Sequence, residues 1–132
     1  MLYATEKTAI LNQLSRSYQK LLEALEMPAS QPLTIDGTIR RFERTYEIAC
    51  ETIHTFYENY HLARRPYNKC LHEALKNGWI NDQECWASLM ESKSHASFVF
   101  SEQLAKDVYE TVKKSHHVFG ALIASCKTLA NH

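Results

Sequence analysis

The stretch Ile35–Tyr60, IDGTIRRFERTYEIACETIHTFYENY, decides the fold of this chain. Its apolar and aromatic residues follow one another at alternating steps of four and three: Ile35, Ile39, Phe42, Tyr46, Ala49, Ile53, Phe56 and Tyr60. This spacing places them on one stripe of an α-helix, with the charged residues off the stripe. Such a helix spans roughly 40 Å, so its apolar side needs long neighbouring helices to cover it. The stretch therefore predicts a helical bundle.

Further helices are predicted on both sides of this one. The first runs from about Thr5 to Glu26 and ends before two prolines, which cannot lie inside a helix. Thr34 is the predicted N-cap of the second helix. The third begins at Pro66 and ends near Asn77, because Gly78 can take the left-handed conformation that follows a helix.

A short helix follows Gly78, and a long last helix begins after Ser101, the predicted N-cap. Asn81 and Glu84 have the spacing of a capping box at the start of the short helix. Four residues of the short helix are expected to face inward: Cys85, Trp86, Leu89 and Met90. The segment 98–100 also allows a short strand. The sequence predicts an all-α single domain, residues 1–132, folded as an antiparallel up-down four-helix bundle with one helix broken near Gly78.

The composition excludes several function classes. Lysine plus arginine equals aspartate plus glutamate, 15 each, which argues against general nucleic-acid binding. The N-terminus lacks the apolar core of a signal peptide, and no apolar run reaches the ~20 residues of a bilayer span. The four cysteines are scattered, without a CxxC motif, and are predicted to be reduced thiols. We therefore expect a cytoplasmic protein.

No motif for catalysis or for a cofactor is present: the chain lacks a P-loop, GxGxxG, GxSxG and HExxH. No metal site is expected either, because Cys70 and His72 lie on different helix faces and His116 and His117 diverge. We place His116 and His117 on a solvated face of the last helix.

Charged and aromatic residues offer candidate contact surfaces. Glu43, Glu47 and Glu51 share one face of the second helix, where Arg40 and Arg44 can compensate their charges. This pattern favours a salt-bridged surface over a docking strip for a basic partner. Seven aromatic residues cluster around the two breaks, and several are expected to form a dimer or partner surface. They are Tyr57, Tyr60, Tyr67, Trp79, Trp86, Phe98 and Phe100.

Two stretches carry a family resemblance. Residues 36–49, DGTIRRFERTYEIA, are similar to the signature IxRFExxFELAWK, and residues 74–86, ALKNGWINDQECW, to AFxxGLIxDxxxW. Both signatures belong to the nucleotidyltransferase substrate-binding proteins of the HEPN superfamily, and the resemblance covers roughly residues 5–130. It implies a non-catalytic homodimer that associates with a small nucleotidyltransferase chain, whose metal-binding aspartates this sequence lacks. It also allows a toxin–antitoxin pair and a nucleotide ligand. Arg41, Glu43, Glu47 and Trp86 would then bind the partner or ligand.

The segment Ser92–Glu102 departs from the family pattern, which reads Asp-Arg-Asn, three residues, then His-x-Tyr-x-Glu. Lys93 and Ser94 replace Arg and Asn, whereas Phe98 and Phe100 replace His and Tyr. Phenylalanine has no titratable proton, and lysine lacks the planar fork of donors that fits phosphate. The resemblance therefore implies no catalytic residue. It makes Lys93, Ser94, Phe98, Phe100 and Glu102 candidate contacts, with this segment and the second helix along a dimer groove.

Two other interpretations remain open. One is a HEPN-type RNase toxin with a degenerate site, in which basic residues hold phosphate and a histidine acts as base. Its candidates are Arg64, Arg65, Lys93, Lys113 and Lys114 for phosphate, with His95, His116 or His117 as the base. The other is a nucleotide-binding four-helix module without a partner enzyme.

Overall fold

The computed structural model of the chain describes residues 2–56, 67–76, 78, 80–96 and 101–130, with the side chains of residues 2–5 and 67–70 excepted. The described residues form helices and connections, without a strand, which confirms the all-α prediction. No described helix is both long and apolar enough to cross a membrane. The helices are α1 (Leu2–Glu26), α2 (Pro32–Phe56), α3 (Tyr67–Lys76), α4 (Gln83–Ala96), α5 (Glu102–Ser115) and α6 (His117–Ala130).

The beginning of α2 differs from the prediction. The helix begins at Pro32, and the amides of Thr34 and Ile35 already donate to the Gln31 carbonyl, at 3.0 and 3.4 Å. The prediction that Thr34 is the N-cap is therefore wrong. Proline suits the first helical position because its fixed φ is helical and no partner is needed for the amide hydrogen that it lacks. The predicted extension of this helix to Tyr60 lies outside the described residues.

The turn between α3 and α4 depends on two residues with positive φ. Gly78 has a φ of 72°, and its amide donates to the Leu75 carbonyl at 3.2 Å, which confirms its predicted role after α3. The N-terminus of α4 is capped by Asp82, whose Oδ1 accepts from the amide of Cys85 at 3.4 Å. The predicted cap at Asn81 is wrong by one residue, because the chain takes a second left-handed turn at Asp82, where φ is 64°.

The long last helix is divided at His116 into α5 and α6. Its N-cap is Ser101 as predicted, since the Ser101 hydroxyl accepts from the amide of Leu104 at 3.1 Å. At the division, the amide of Phe119 donates to the His116 carbonyl at 3.0 Å, a tighter turn than that of an α-helix. Neither Pro nor Gly marks this point. The break coincides with a tertiary contact, because the Tyr18 hydroxyl lies 2.8 Å from His116 Nδ1.

Helix α2 is central to the core and contacts all five other described helices. Its predicted stripe is buried from Ile35 to Phe56, which confirms that part of the prediction. A second row, Thr38, Thr45 and Thr52, is also fully buried, and each hydroxyl donates to the carbonyl four residues earlier. These bonds satisfy the three hydroxyl donors within α2, and the Thr45 hydroxyl also lies 2.8 Å from the Ser17 hydroxyl of α1. The buried side of α2 is therefore wider than the apolar stripe alone.

Candidate functional site

Three charged side chains from α2 and α4 form what we call the charged strip: Arg44, Glu47 and Lys93. Glu47 Oε1 lies 3.7 Å from Lys93 Nζ, and Glu47 Oε2 lies 3.9 Å from the Arg44 guanidinium. The strip joins the first motif to the segment that departs from the family pattern. The exposed fractions of the side chains are 62% for Arg44, 42% for Glu47 and 23% for Lys93. The strip therefore pairs its charges loosely and keeps them in contact with water.

The other charged or polar candidates have different neighbours. The exposed Arg41 donates from its guanidinium to the Lys20 carbonyl of α1 at 3.1 Å. Glu43 is half-buried on α2. Ser94 is exposed on α4, where its hydroxyl lies 3.4 Å from the Met90 carbonyl. The structure thus brings Glu47 and Lys93 together but directs Arg41 towards α1.

A groove of about 550 Å³ lies where α2 and α5 begin, and we call it the α2–α5 groove. Glu102, one of the predicted contact residues, lines it together with Asp36 and Lys106. Its remaining lining comes from Ala29, Ser30, Pro32, Ile35, Ser101 and Ala105. Leu33, which follows Pro32, exposes 81% of its surface. The groove is therefore mixed in charge and has an exposed apolar residue adjacent in sequence to its lining.

Trp86 is part of the core. It is 1% exposed, and its ring meets Phe119 edge to face, with 5.6 Å between ring centroids. Ala74 and Ile80 of the same motif are also buried. The described apolar residues of the second motif therefore pack in the core. A change at Trp86 can affect partner binding only by altering this packing. The other six aromatic candidates lie outside the described side chains: Tyr57, Tyr60, Tyr67, Trp79, Phe98 and Phe100.

The residues of the RNase interpretation are distributed over separate places. His95 lines a groove of about 260 Å³ between α4 and α5, together with Glu91 and Asp107, and these carboxylates disfavour a phosphate there. Lys113 and Lys114 line a different, shallow site on α5. Arg64 and Arg65 lie outside the described residues.

His116 is half-buried, so its predicted place on a solvated face is wrong. Its Nδ1 lies 2.8 Å from the Tyr18 hydroxyl, and Tyr18 also packs against Phe119. Burial lowers the pKa of His116, and the neighbouring His117 lowers it further. Burial raises the pKa of Tyr18. The pair therefore favours a neutral imidazole bonded to a neutral phenol.

His117 meets Asp82 and Cys85 in a cluster that the sequence did not predict. His117 Nε2 lies 3.1 Å from Asp82 Oδ2 and 3.8 Å from Cys85 Sγ. The hydrogen bond from His117 lowers the pKa of Asp82. Desolvation raises the pKa of the Cys85 thiol, and a hydrogen bond from Ser115 opposes this rise. Asp82 and Cys85 share a helix start, but no spacing rule connects them to His117, 32 residues after Cys85.

Among the described cysteines, Cys50, Cys85 and Cys126 are not joined in disulfides; Cys50 and Cys126 are buried, and Cys85 is half-buried. Burial raises the pKa of Cys126 to about 12. Cys126 therefore remains a neutral thiol at physiological pH, and Cys85 is the most accessible of the three.

A comparison with curated proteins found no match. A comparison with family models matched residues 9–127 to the family described as nucleotidyltransferase substrate binding protein like. The match runs from α1 into the last turn of α6, and it contains both motifs, the charged strip and the α2–α5 groove. On that extent of agreement, the chain belongs to the family of nucleotidyltransferase substrate binding protein-like proteins.

Proposed function

We propose that this chain is the non-catalytic partner of a small nucleotidyltransferase and that it positions substrate for nucleotidyl transfer. The observation that carries this proposal is the family match across residues 9–127. In this proposal α3 with α4, and α5 with α6, act as the third and fourth helices of an antiparallel bundle of the HEPN type. The described cysteines are not in disulfides, which fits a cytoplasmic protein because disulfides are rare in a reducing compartment.

The α2–α5 groove supports a homodimer. It is bordered by the start of α2 and by Ser101 and Glu102, which end the segment that we expected along a dimer groove. Leu33, in the first turn of α2, is 81% exposed, and Met27, directly after α1, is 58% exposed. A second copy of the chain would remove these two side chains from water, and apolar burial favours association.

The charged strip supports a contact with the enzyme chain. Its ion pairs are long, 3.7 and 3.9 Å, and Arg44 and Glu47 are well exposed, so their charges can exchange partners at little cost. Charges of this kind at an interface act mainly on the association rate and on the choice of partner. Glu43 and Ser94 lie on the same two helices and would complete the contact, and Arg41 would join it by exchanging its bond to the Lys20 carbonyl for one to the enzyme.

The experiment is co-expression with the nucleotidyltransferase encoded by a neighbouring gene, followed by capture on a tag carried by the enzyme. We expect the chain to be retained. A charge reversal, Glu47→Lys, should slow association and change its salt dependence. The matched control is Glu23→Lys on α1, away from the strip. If the two variants associate with the enzyme at equal rates and with equal salt dependence, the charged strip is not part of the contact.

The dimer is tested with the enzyme absent. Leu33→Lys changes a side chain that is 81% exposed, so it should leave the fold intact and weaken the dimer. Leu129→Lys, near the end of α6, is the matched control.

The same purified chain should leave RNA intact. Cleavage that disappears in His95→Ala would instead support the RNase interpretation.

A further inference from the structure

We infer that Asp82, Cys85 and His117 bind one divalent transition-metal ion of the zinc class. The three side chains come from two separate parts of the chain, because Asp82 and Cys85 lie at the start of α4 and His117 is the first residue of α6. Each offers one ligand atom, and these atoms all lie within 4.8 Å of one another. The three residues form no part of the charged strip or of the lining of the α2–α5 groove.

Two of the three distances between ligand atoms are close to those of tetrahedral coordination. Zinc bonds of about 2.3 Å to sulfur and about 2.0–2.2 Å to nitrogen and oxygen place the sulfur about 3.6 Å from the nitrogen, and the nitrogen about 3.4 Å from the oxygen. The corresponding distances here are 3.8 Å for Cys85 Sγ to His117 Nε2, and 3.1 Å for His117 Nε2 to Asp82 Oδ2. Small rotations of the exposed His117 and Asp82 side chains would bring all three atoms into bonding range.

The donor set also selects the class of ion. A sulfur and an imidazole nitrogen suit zinc and similar ions, whereas magnesium and calcium prefer oxygen ligands. A thiolate and a carboxylate together neutralise the charge of a divalent ion. The site faces water, since the side chains of His117 and Asp82 are 56% and 43% exposed, so a water molecule can fill the fourth position. The Cys85 sulfur lies beside the hydrogen-bonded pair of His117 and Asp82 and adds a soft ligand atom to it.

A bound ion would connect the same two helices that the core already joins. Trp86 follows Cys85, and Phe119 comes two residues after His117, and their rings meet inside the protein. The ion would link α4 and α6 at the surface, next to this ring contact. Because it requires the folded arrangement of residues that are distant in sequence, it should raise the melting temperature of the chain.

The experiment titrates the metal-free chain with Co²⁺ and then with Zn²⁺ in competition with a chromogenic chelator. We expect one ion per chain and a thiolate-to-cobalt charge-transfer band in the near ultraviolet. Cys85→Ser should abolish this band. His117→Gln and Asp82→Asn should each weaken zinc binding at least tenfold. The matched control is His95→Asn, which changes an exposed histidine near the other end of α4 and should bind like the unaltered chain.

Melting temperatures measured with chelator show whether each variant is folded. Asp82→Asn is informative here, because asparagine keeps a capping oxygen and tolerates the positive φ at this position. Absence of the charge-transfer band in the unaltered chain would overturn the inference. Persistence of the band in Cys85→Ser would also overturn the inference. Equal zinc affinities for the three site variants and for His95→Asn would do the same. Each of these results would leave only the hydrogen-bonded pair of His117 and Asp82.

Discussion

Replacement of Trp86 separates a role in packing from a role in binding. Trp86 is 1% exposed and lies edge to face on Phe119. Trp86→Ala removes this ring from the core, and such a change costs about 3–5 kcal/mol of unfolding free energy. The whole stability of a domain is about 5–15 kcal/mol. We therefore expect the melting temperature to fall on the order of 10–20 °C. The unfolding free energy from a urea titration, followed by far-ultraviolet circular dichroism, should fall by the same about 3–5 kcal/mol.

Trp86→Phe is the matched control for this prediction. Phenylalanine keeps an aromatic ring against Phe119 and should cost about 1–2 kcal/mol, which leaves the fold intact. The enzyme should retain the Trp86→Phe variant and the unaltered chain equally. A loss below about 1 kcal/mol for Trp86→Ala would show that the indole is not packed in the core. A folded Trp86→Phe chain that no longer binds the enzyme would show that Trp86 is a contact residue after all.

Three further predictions concern the turn after α3, the charged strip and pH. Gly78→Ala should cost about 1 kcal/mol or more in denaturant unfolding because φ is 72°, whereas Gly37→Ala inside α2 should stabilise by about 0.5–1 kcal/mol; equal effects would contradict the turn. A double-mutant cycle of Glu47→Ala and Lys93→Ala should give a coupling below about 1 kcal/mol that shrinks with salt, and a larger, salt-independent value would contradict a screened pair. Burial and His117 lower the pKa of His116 in the folded state. The neutral His116 therefore adds fully to the unfolding free energy above its unfolded-state pKa of about 6.5, and this contribution is lost as the pH falls through the folded-state pKa. The unfolding free energy of His116→Gln should therefore fall less between pH 7.5 and 5 than that of the unaltered chain, and identical slopes would refute this assignment.

The local rules of helix formation recovered most of the fold. The α2 stripe, the left-handed Gly78 and the Ser101 cap depend on neighbours within a few residues, and the structure confirms all three. The two wrong caps, Thr34 and Asn81, each lie close to the observed helix start. Thr34 failed because Pro32 already occupies the first helical position, and Asn81 failed because Asp82, one residue later, accepts the capping bond at a positive φ.

The parts that the sequence did not reveal all depend on contacts between distant residues. The division of the last helix coincides with the contact between His116 and Tyr18, 98 residues away. The cluster of Asp82 and His117 joins residues 35 apart. Spacing along one helix carries no information on which second helix lies across from it. The pairing of Glu47 with Lys93 was equally hidden, although each residue was a candidate by itself.

The proposed partnership is tested most directly by the molar mass of the species that the chain forms with a nucleotidyltransferase encoded by a neighbouring gene, measured by light scattering during size-exclusion chromatography. We predict one complex that contains two copies of this chain and two copies of the enzyme, with nucleotidyl transfer abolished when the enzyme's metal-binding aspartates are replaced. A chain that elutes alone with the 15.3 kDa mass of a monomer, in the presence of the enzyme, would contradict it.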